Sequence, residues 1–330
     1  MLEVDHGYKR ILGTLGRAGY AVDTISSGKK IQGNSIFLEE PELDGFYGLA
    51  VRIDRVLLNQ KTRFQHLVVA EAGPLGRVLL LDGNIQVTEF DESGYHEMLA
   101  HVPLLTHPDP RRVLVVGGGD GGALREVLKH PGVEHVDLCE IDEAVIRASR
   151  QYLPGLAASF DDPRVALHIA DGIQYVRDHP HSWDVILVDS SDPEGPAEGI
   201  FKESFYRSIK EALHPSGIAV TQCESAFLFE QLIRKIFAFL PHIFPMIGYY
   251  LTLVPTYTSG IIGFAFCSLG PNPIKNVPEP NRVKCLKGLH YYSPALHRAT
   301  FALPRRFLDL LPNDQDGHGA IVLNRVPMER

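Results

Sequence analysis

Apolar and polar positions fall into two rhythms along the chain. From about Asn34 to Phe90 the pattern is β-like: Ala50–Leu58, Phe64–Ala70 and Arg77–Leu81 are separated by turn signals at Asn59-Gln60, Gly73-Pro74 and Asp82-Gly83. A small antiparallel sheet is predicted there. Ser93 to Leu105 then carries a helical pattern that Pro103 and His107-Pro108 are expected to stop. Beyond it, strands and helices alternate. Val113–Val116, His135–Glu140, Val165–Ile169 and Val185–Val188 read as strands, and Ala123–Lys129, Glu143–Tyr152 and Ile200–Leu213 as helices. Such alternation predicts an α/β domain, a mostly parallel sheet with helices on both faces. Residues 1–33 mix Gly, Lys and Ser without a sustained period and read as an N-terminal extension of unclear role. The expected organisation is therefore 1–33 extension, 34–90 small β domain and 91–330 catalytic domain.

Composition narrows the class. At 330 residues with 45% apolar side chains the chain can bury a substantial core. Runs such as Val113–Val116 and Ile261–Phe266 are too short to cross a bilayer, so no membrane partner is expected. Glu3 and Asp5 with no apolar stretch argue against a secretory signal. Cys139, Cys223, Cys267 and Cys285 form no CxxC pair and read as buried thiols of a reducing, cytoplasmic setting, not as disulfides or a zinc site. A net charge of −8 argues against a nucleic-acid partner and is compatible with a cationic substrate.

The strongest local signal is the run from Val113 through Gly117, Gly118, Gly119, Asp120, Gly121 and Gly122 to Arg125, a buried strand turning through glycines into a helix. The spacing fits both a dinucleotide site (Gly117, Gly119, Gly122) and a nucleoside-methionine site (Gly117, Gly119, Gly121). Glu140, at the end of the next strand, stands where an acid chelates a ribose diol, in either class. Asp120 separates the two: a carboxylate in the loop repels a pyrophosphate at the helix N-terminus but suits an ammonium. Asp171-Gly172, ending the third strand, offers an acceptor for the exocyclic amine of adenine. A cationic nucleoside is therefore the first reading and NAD the second.

After the fourth strand, Asp189 and Asp192 stand at the carboxyl end of a parallel strand, in a loop of Pro and Gly residues able to close over a substrate. These strings taken together, Gly117 to His130, Cys139 to Asp142, Asp189 to Ala197, Asp91 to Met98 and Val254 to Gly260, resemble the spermidine synthase (polyamine aminopropyltransferase) family. The resemblance runs collinearly from about Val51 to Leu310. It implies a Rossmann-like, S-adenosylmethionine-methyltransferase-type fold and transfer of an aminopropyl group from decarboxylated S-adenosylmethionine to putrescine. The products would be spermidine and methylthioadenosine. It also implies a homodimer or homotetramer, with no prosthetic group and no metal.

The resemblance further implies roles. The acid matching Asp189 is the proton acceptor, and Tyr95 orients the attacking amine. Gln65, His96, Gly117, Gly119, Asp120, Glu140, Asp171 and Gly172 match donor-binding positions, with Asp120 facing the aminopropyl ammonium. Asp192, Gln222 and Tyr257, with Tyr95 and Asp189, match the acceptor slot. The chemistry is coherent. A primary amine of pKa ~10 is nucleophilic only about one part in a thousand at neutral pH, a deficit of roughly 4 kcal/mol. A carboxylate accepting its proton offsets part of this, and alignment of the reactants more. The leaving thioether is neutral and needs no acid.

The family's tryptophan near the start of the β-region is missing: Ser35 to Glu40 stands there, and the one tryptophan is Trp183. Those rim contacts do not carry over. His96-Glu97 to His101 looks like a zinc helix, but histidines five apart lie about 140° around a helix, not on one face. His107, His179 and His181 read as solvated loop residues. Three competing readings stay open. One is a diamine N-methyltransferase on the same scaffold, against which Asp120 counts. Another is transfer to agmatine, cadaverine or spermidine. The third is a catalytically silent binding relative.

Overall fold

The computed structural model describes residues 36–42, 47–191, 195–276, 278–312 and 320–321. The expected extension over 1–33 and the candidate Asp192 lie outside the described residues. Two compact units divide the chain, one ending at Asp91 and taking in Pro255–Gly260, the other formed by Glu92–Val254 and the residues from Ile261 onward.

The smaller unit is antiparallel β. Strands β1 (Ile36–Glu42) and β2 (Tyr47–Ile53) pair as a two-stranded ribbon, and β3 (Arg55–Lys61), β4 (His66–Glu71), β5 (Arg77–Leu81) and β6 (Asn84–Thr88) form a meander in that order. Alternate residues turn inward, so Val68 and Ala70 of β4 share a core with Val78 and Leu80 of β5. The run expected as one strand over Ala50–Leu58 is broken at Asp54, which lies between β2 and β3. The expected division at residues 90 and 91 also changes, because Pro255–Gly260 belongs to this unit. Asp91 accepts hydrogen bonds from Thr88 Oγ1 (2.7 Å), Thr256 N (2.7 Å) and Thr256 Oγ1 (3.0 Å), and the Tyr257 hydroxyl donates to the Gln86 carbonyl at 2.7 Å.

The larger unit opens with α1 (Glu92–Thr106), then β7 (Arg112–Gly117), α2 (Gly122–Leu128), β8 (His135–Glu140), α3 (Glu143–Tyr152), β9 (Val165–Ile169), α4 (Gly172–Asp178) and β10 (Trp183–Asp189). It continues through α5 (Glu203–Ala212), β11 (Leu213–Gln222), α6 (Glu230–Phe239), β12 (Met246–Leu253), β13 (Ile261–Ser268) and the two-residue β14 (Ala320–Ile321), with short helical turns between. The eight-stranded sheet runs β14-β12-β13-β11-β10-β7-β8-β9. β9, β8, β7, β10 and β11 are mutually parallel, whereas β13 pairs antiparallel with both β11 and β12. This is the mostly parallel sheet expected from the alternation and the Rossmann-like fold that the resemblance implies, with an antiparallel extension at one end.

Local corrections have local causes. α1 runs through Pro103 to Thr106; a proline this late removes one bond near the helix end, and all thirteen residues from Gly94 to Thr106, Pro103 among them, are buried. The helix expected over Ile200–Leu213 begins as a 3-10 turn (Gly195–Phe201) and is α-helical only over Glu203–Ala212. His107, expected to be solvated, is buried and accepts the Asp109 N–H, whereas Cys285, expected to be buried, is exposed. Trp183 is buried, its Nε1 donating to Asp137 Oδ2 at 2.8 Å. Among the described residues no helix is long and apolar enough to cross a membrane.

The zinc-like stretch has a structural use. Buried Glu97 accepts the backbone N–H groups of His290, Tyr291 and Tyr292 at 2.7, 3.0 and 2.6 Å, tying a C-terminal loop to α1. Glu97→Gln turns an amide N–H toward those donors. It should lower stability by about 3 kcal/mol in urea denaturation; a loss below about 0.5 kcal/mol would contradict this role.

Candidate active site

The site is assembled at the carboxyl ends of the parallel strands. Gly117, ending β7, pairs with Asp189, ending β10. Val188 pairs with Thr221, so the next residues, Asp189 and Gln222, stand side by side, and Gln222 pairs in turn with Phe264 of β13. One row across four strands thus reads Gly117, Asp189, Gln222, Phe264. Gly117 has a φ of +79°, and a Cβ there would lie 2.1 Å from the Asp189 carbonyl oxygen, so only glycine lets the two strand ends close. The Gly118 N–H donates to that carbonyl at 3.0 Å.

The first turn of α1 brings Tyr95 and His96 to this row. The Tyr95 ring lies 5.2 Å from that of Phe264, and its hydroxyl hydrogen-bonds Asp189. The other carboxylate oxygen, Asp189 Oδ2, is buried without a hydrogen-bond partner, as are Ser190 Oγ and Gln222 Oε1. Three unpaired buried acceptor or hydroxyl atoms on neighbouring strand ends are unusual in a folded core and mark a place built for a ligand with N–H or O–H groups. Burial raises the Asp189 carboxyl, Asp120 adds to the rise, and His96 and Tyr95 oppose it, leaving it at about 6.

His96 is clamped between acids. Its Nδ1 lies 2.7 Å from Glu92 Oε2 and its Nε2 3.5 Å from Asp120 Oδ1. Burial opposes its charge, but Asp120 and Glu92 outweigh that and raise it well above the ordinary range, so it is an imidazolium at neutral pH. Gly122 lets the ring sit close, since a Cβ there would lie 2.2 Å from His96 Cε1. Arg125 NH2 donates to both Glu92 oxygens (3.0 and 2.8 Å) and Arg125 Nε to Glu126 Oε1 (2.7 Å). Asp120, one residue before the Gly121 N-cap of α2, accepts the Gly122 N–H at 2.6 Å, and is held ionised against burial chiefly by His96. The bare amide a pyrophosphate needs is therefore already taken.

His96, Asp120 and Asp189 place ligand-type atoms within 4.8 Å of one another, the one such trio among the described residues. An imidazolium that donates from both nitrogens has no lone pair for a metal. The trio suits an organic cation better, with two carboxylates and one resident positive charge.

Glu140 ends β8, buried, with Oε1 accepting the Asp142 N–H at 2.8 Å. The helix cap is Asp142, not Glu140: its carboxylate accepts the Ala144 N–H at 3.1 Å. Glu140 Oε2 lies 2.9 Å from where a Cβ on Gly119 would be, so it faces the glycine loop. Burial lifts its carboxyl to about 7 despite the backbone N–H groups of Asp142 and Ile141. Asp171 is exposed and caps α4 through the Ile173 N–H (2.8 Å), with Gly172 opening that helix. The larger unit therefore gathers Tyr95, His96, Gly117, Gly119, Asp120, Glu140, Asp171, Gly172, Asp189 and Gln222 at one sheet edge. Gln65 and Tyr257 belong to the smaller unit; Gln65 closes the turn before β4, its carbonyl accepting from Thr62 N and Thr62 Oγ1.

Sequence reasoning passed over Glu92, Arg125, Ser190 and Glu224. The Glu92–His96 pair had a signal, the i,i+4 helical spacing. Glu224 had one too, two residues beyond Gln222 at a strand end.

A parallel sheet whose strand ends carry a glycine loop, a buried acid at the end of the next strand (Glu140) and a buried, half-paired carboxylate (Asp189) has the make-up of a Rossmann-like nucleoside-dependent enzyme domain. Residues 92–276 match the spermine/spermidine synthase domain and residues 37–89 the spermidine synthase tetramerisation domain. The chain is 48% identical over 268 residues to a polyamine aminopropyltransferase of Leptospira biflexa, covering 81% of this chain and 95% of that one. It is 45% identical over 280 residues to a spermidine synthase of Dictyostelium discoideum (84% and 96% covered). A crystal structure of a spermidine synthase in complex with the transition-state analogue AdoDATO superimposes with a TM-score of 0.81 at 39% identity, covering 87% of this chain and 98% of that one. The chain belongs to the spermine/spermidine synthase family. Its activity is that of an aminopropyltransferase, forming spermidine.

Because the folded state holds the Asp189 proton more tightly than the unfolded chain does, ionising this residue weakens the fold. The penalty is absent below roughly pH 4, grows up to about pH 6 and is complete above it. Asp189→Asn should therefore be more stable than the parent at pH 7.5, on the order of 2 kcal/mol, and lose that advantage at pH 4. A less stable variant at pH 7.5 in urea denaturation would contradict the burial of an unpaired charge.

Proposed function

We propose that the donor is decarboxylated S-adenosylmethionine, that the acceptor is putrescine, and that Asp189 takes the proton from the attacking amine. The observation that carries this is the buried, unpartnered Oδ2 of Asp189 beside the glycine loop. The donor lies over the loop, with Glu140 on the ribose diol, Asp171 and Gly172 at the adenine, and Gly117 and Gly119 allowing close approach. His96 and Asp120 hold the aminopropyl end. Asp120 meets the ammonium, and because an intact donor carries a carboxylate beside that ammonium, like-charge repulsion disfavours it. Gln65 completes the donor site.

Tyr95, Asp189, Asp192, Gln222 and Tyr257 receive the diamine. Its terminal nitrogen forms a bond to the methylene next to the sulfonium, the C–S bond breaks with its electron pair returning to sulfur, and Asp189 accepts the N–H proton. Methylthioadenosine leaves neutral, so no acid is required. Tyr95, donating to Asp189, keeps its carboxylate aimed at the nitrogen. The match of residues 37–89 to a tetramerisation domain supports a homo-oligomer, dimer or tetramer. Three buried free thiols, Cys139, Cys223 and Cys267, fit a reducing cytoplasm.

Given decarboxylated donor plus putrescine, the protein should release methylthioadenosine and spermidine, read by mass spectrometry. Asp189→Asn should cut turnover by roughly two orders of magnitude or more with donor affinity retained. Full turnover in that variant would remove Asp189 from the reaction. Asp120→Ile should narrow the preference for the decarboxylated over the intact donor by about tenfold or more, measured as the ratio of the two inhibition or Michaelis constants. An unchanged ratio would refute the ammonium role.

A further inference from the structure

Beyond β11 the chain does something a glutamate rarely does. Glu224 has a φ of +54°, in the left-handed region that a residue with a Cβ enters only at a cost. Its backbone is held there from two sides: the Glu224 carbonyl accepts the Tyr249 hydroxyl at 2.7 Å and the Gly263 N–H at 3.0 Å. The turn folds the Glu224 side chain back onto Gln222, whose Nε2 donates to Glu224 Oε1 at 2.7 Å. Both residues are buried, at 3% exposure each.

That single bond decides what the amide offers. A glutamine can present either its NH2 or its oxygen to a ligand, and the two differ by a half-turn about the last torsion. A carboxylate accepts only, so Glu224 engages the NH2 and turns Oε1 away from itself. Gln222 Oε1 is then left buried with no hydrogen-bond partner, on the strand end beside Asp189, whose Oδ2 is likewise unpartnered. Two bare acceptor oxygens on adjacent strands match a substrate group that has only donors to give, an ammonium or amine. Were the amide reversed, its NH2 would face that cation.

We propose that Glu224 is a positioning residue for acceptor specificity: it locks the Gln222 amide with its oxygen toward the cationic acceptor. This rests on the reading of Gln222 as part of the acceptor slot. Glu224 touches neither reactant in this scheme and acts through Gln222 alone. The strained backbone is what delivers its carboxylate to the amide.

A double-mutant cycle tests it, with putrescine as varied substrate and donor affinity measured separately by calorimetry. Glu224→Gln keeps the shape but lets its own amide turn that of Gln222. It should raise the KM for putrescine by about tenfold while kcat and donor affinity change less than about twofold. Gln222→Met should raise the same KM by a similar factor, and adding Glu224→Gln to it should do nothing further. If Glu224→Gln leaves the putrescine KM unchanged, or raises it equally in both backgrounds, Glu224 does not act through the amide and the proposal fails while the slot stands. If Gln222→Met has no effect, Gln222 is outside the slot and both readings fall. Should Glu224→Gln not fold, Glu224→Gly, which suits the positive φ, replaces it in the same cycle with the same expectations.

Discussion

A carboxylate withdrawn from water with one oxygen left unpaired is costly to fold, and Asp189 is such a carboxylate. Much of the larger unit's arrangement at the sheet edge follows from tolerating it. Gly117 lets β7 and β10 close over its carbonyl, Tyr95 satisfies one of its oxygens, and β10 is held between its parallel neighbours β7 and β11, which fix its position. The remaining oxygen is paired only when a substrate supplies a donor. In the proposed reaction, binding energy from an amine is gained at the atom that takes the proton, as a preorganised site requires.

The neighbouring charges extend this logic. Asp120 and Asp189 would repel each other and attract any cation, but His96 places one positive charge among them. Glu92 holds that imidazolium, and Arg125 holds Glu92 while also bonding Glu126. The chain of alternating charges joins α1 to α2, the helix that starts at the glycine loop, so the acids are fixed before any ligand arrives. The proposed preference for a donor lacking a carboxylate and for an acceptor bearing ammonium groups draws on the same network.

Much of this was legible in the sequence because it depends on short, local patterns. The strand-glycine-helix run fixed β7, the loop and α2 to within a residue, and strand-end acids pointed to Glu140 and Asp189. What escaped did so for physical reasons. β11 contains Pro215, Ser216 and Gly217, which read as a turn; Ser216 indeed has a φ of +67°, and the pairing with β10 slips near Trp183. The membership of Pro255–Gly260 in the smaller unit depends on bonds to Asp91 and Gln86 more than 160 residues away, which no local pattern reveals. Glu224 hides because its use depends on a backbone conformation that its residue type disfavours. His107 does lie in a loop, but it reads as solvated because the adjacent Pro108 says nothing about what packs over it.

The most direct measurement is a crystal structure of the protein with methylthioadenosine and putrescine bound together. The account requires a terminal amine nitrogen about 3 Å from Asp189 Oδ2, on the side facing the sulfur. A nitrogen more than about 5 Å from that oxygen, or an Asp189 side chain turned out to solvent, would contradict it.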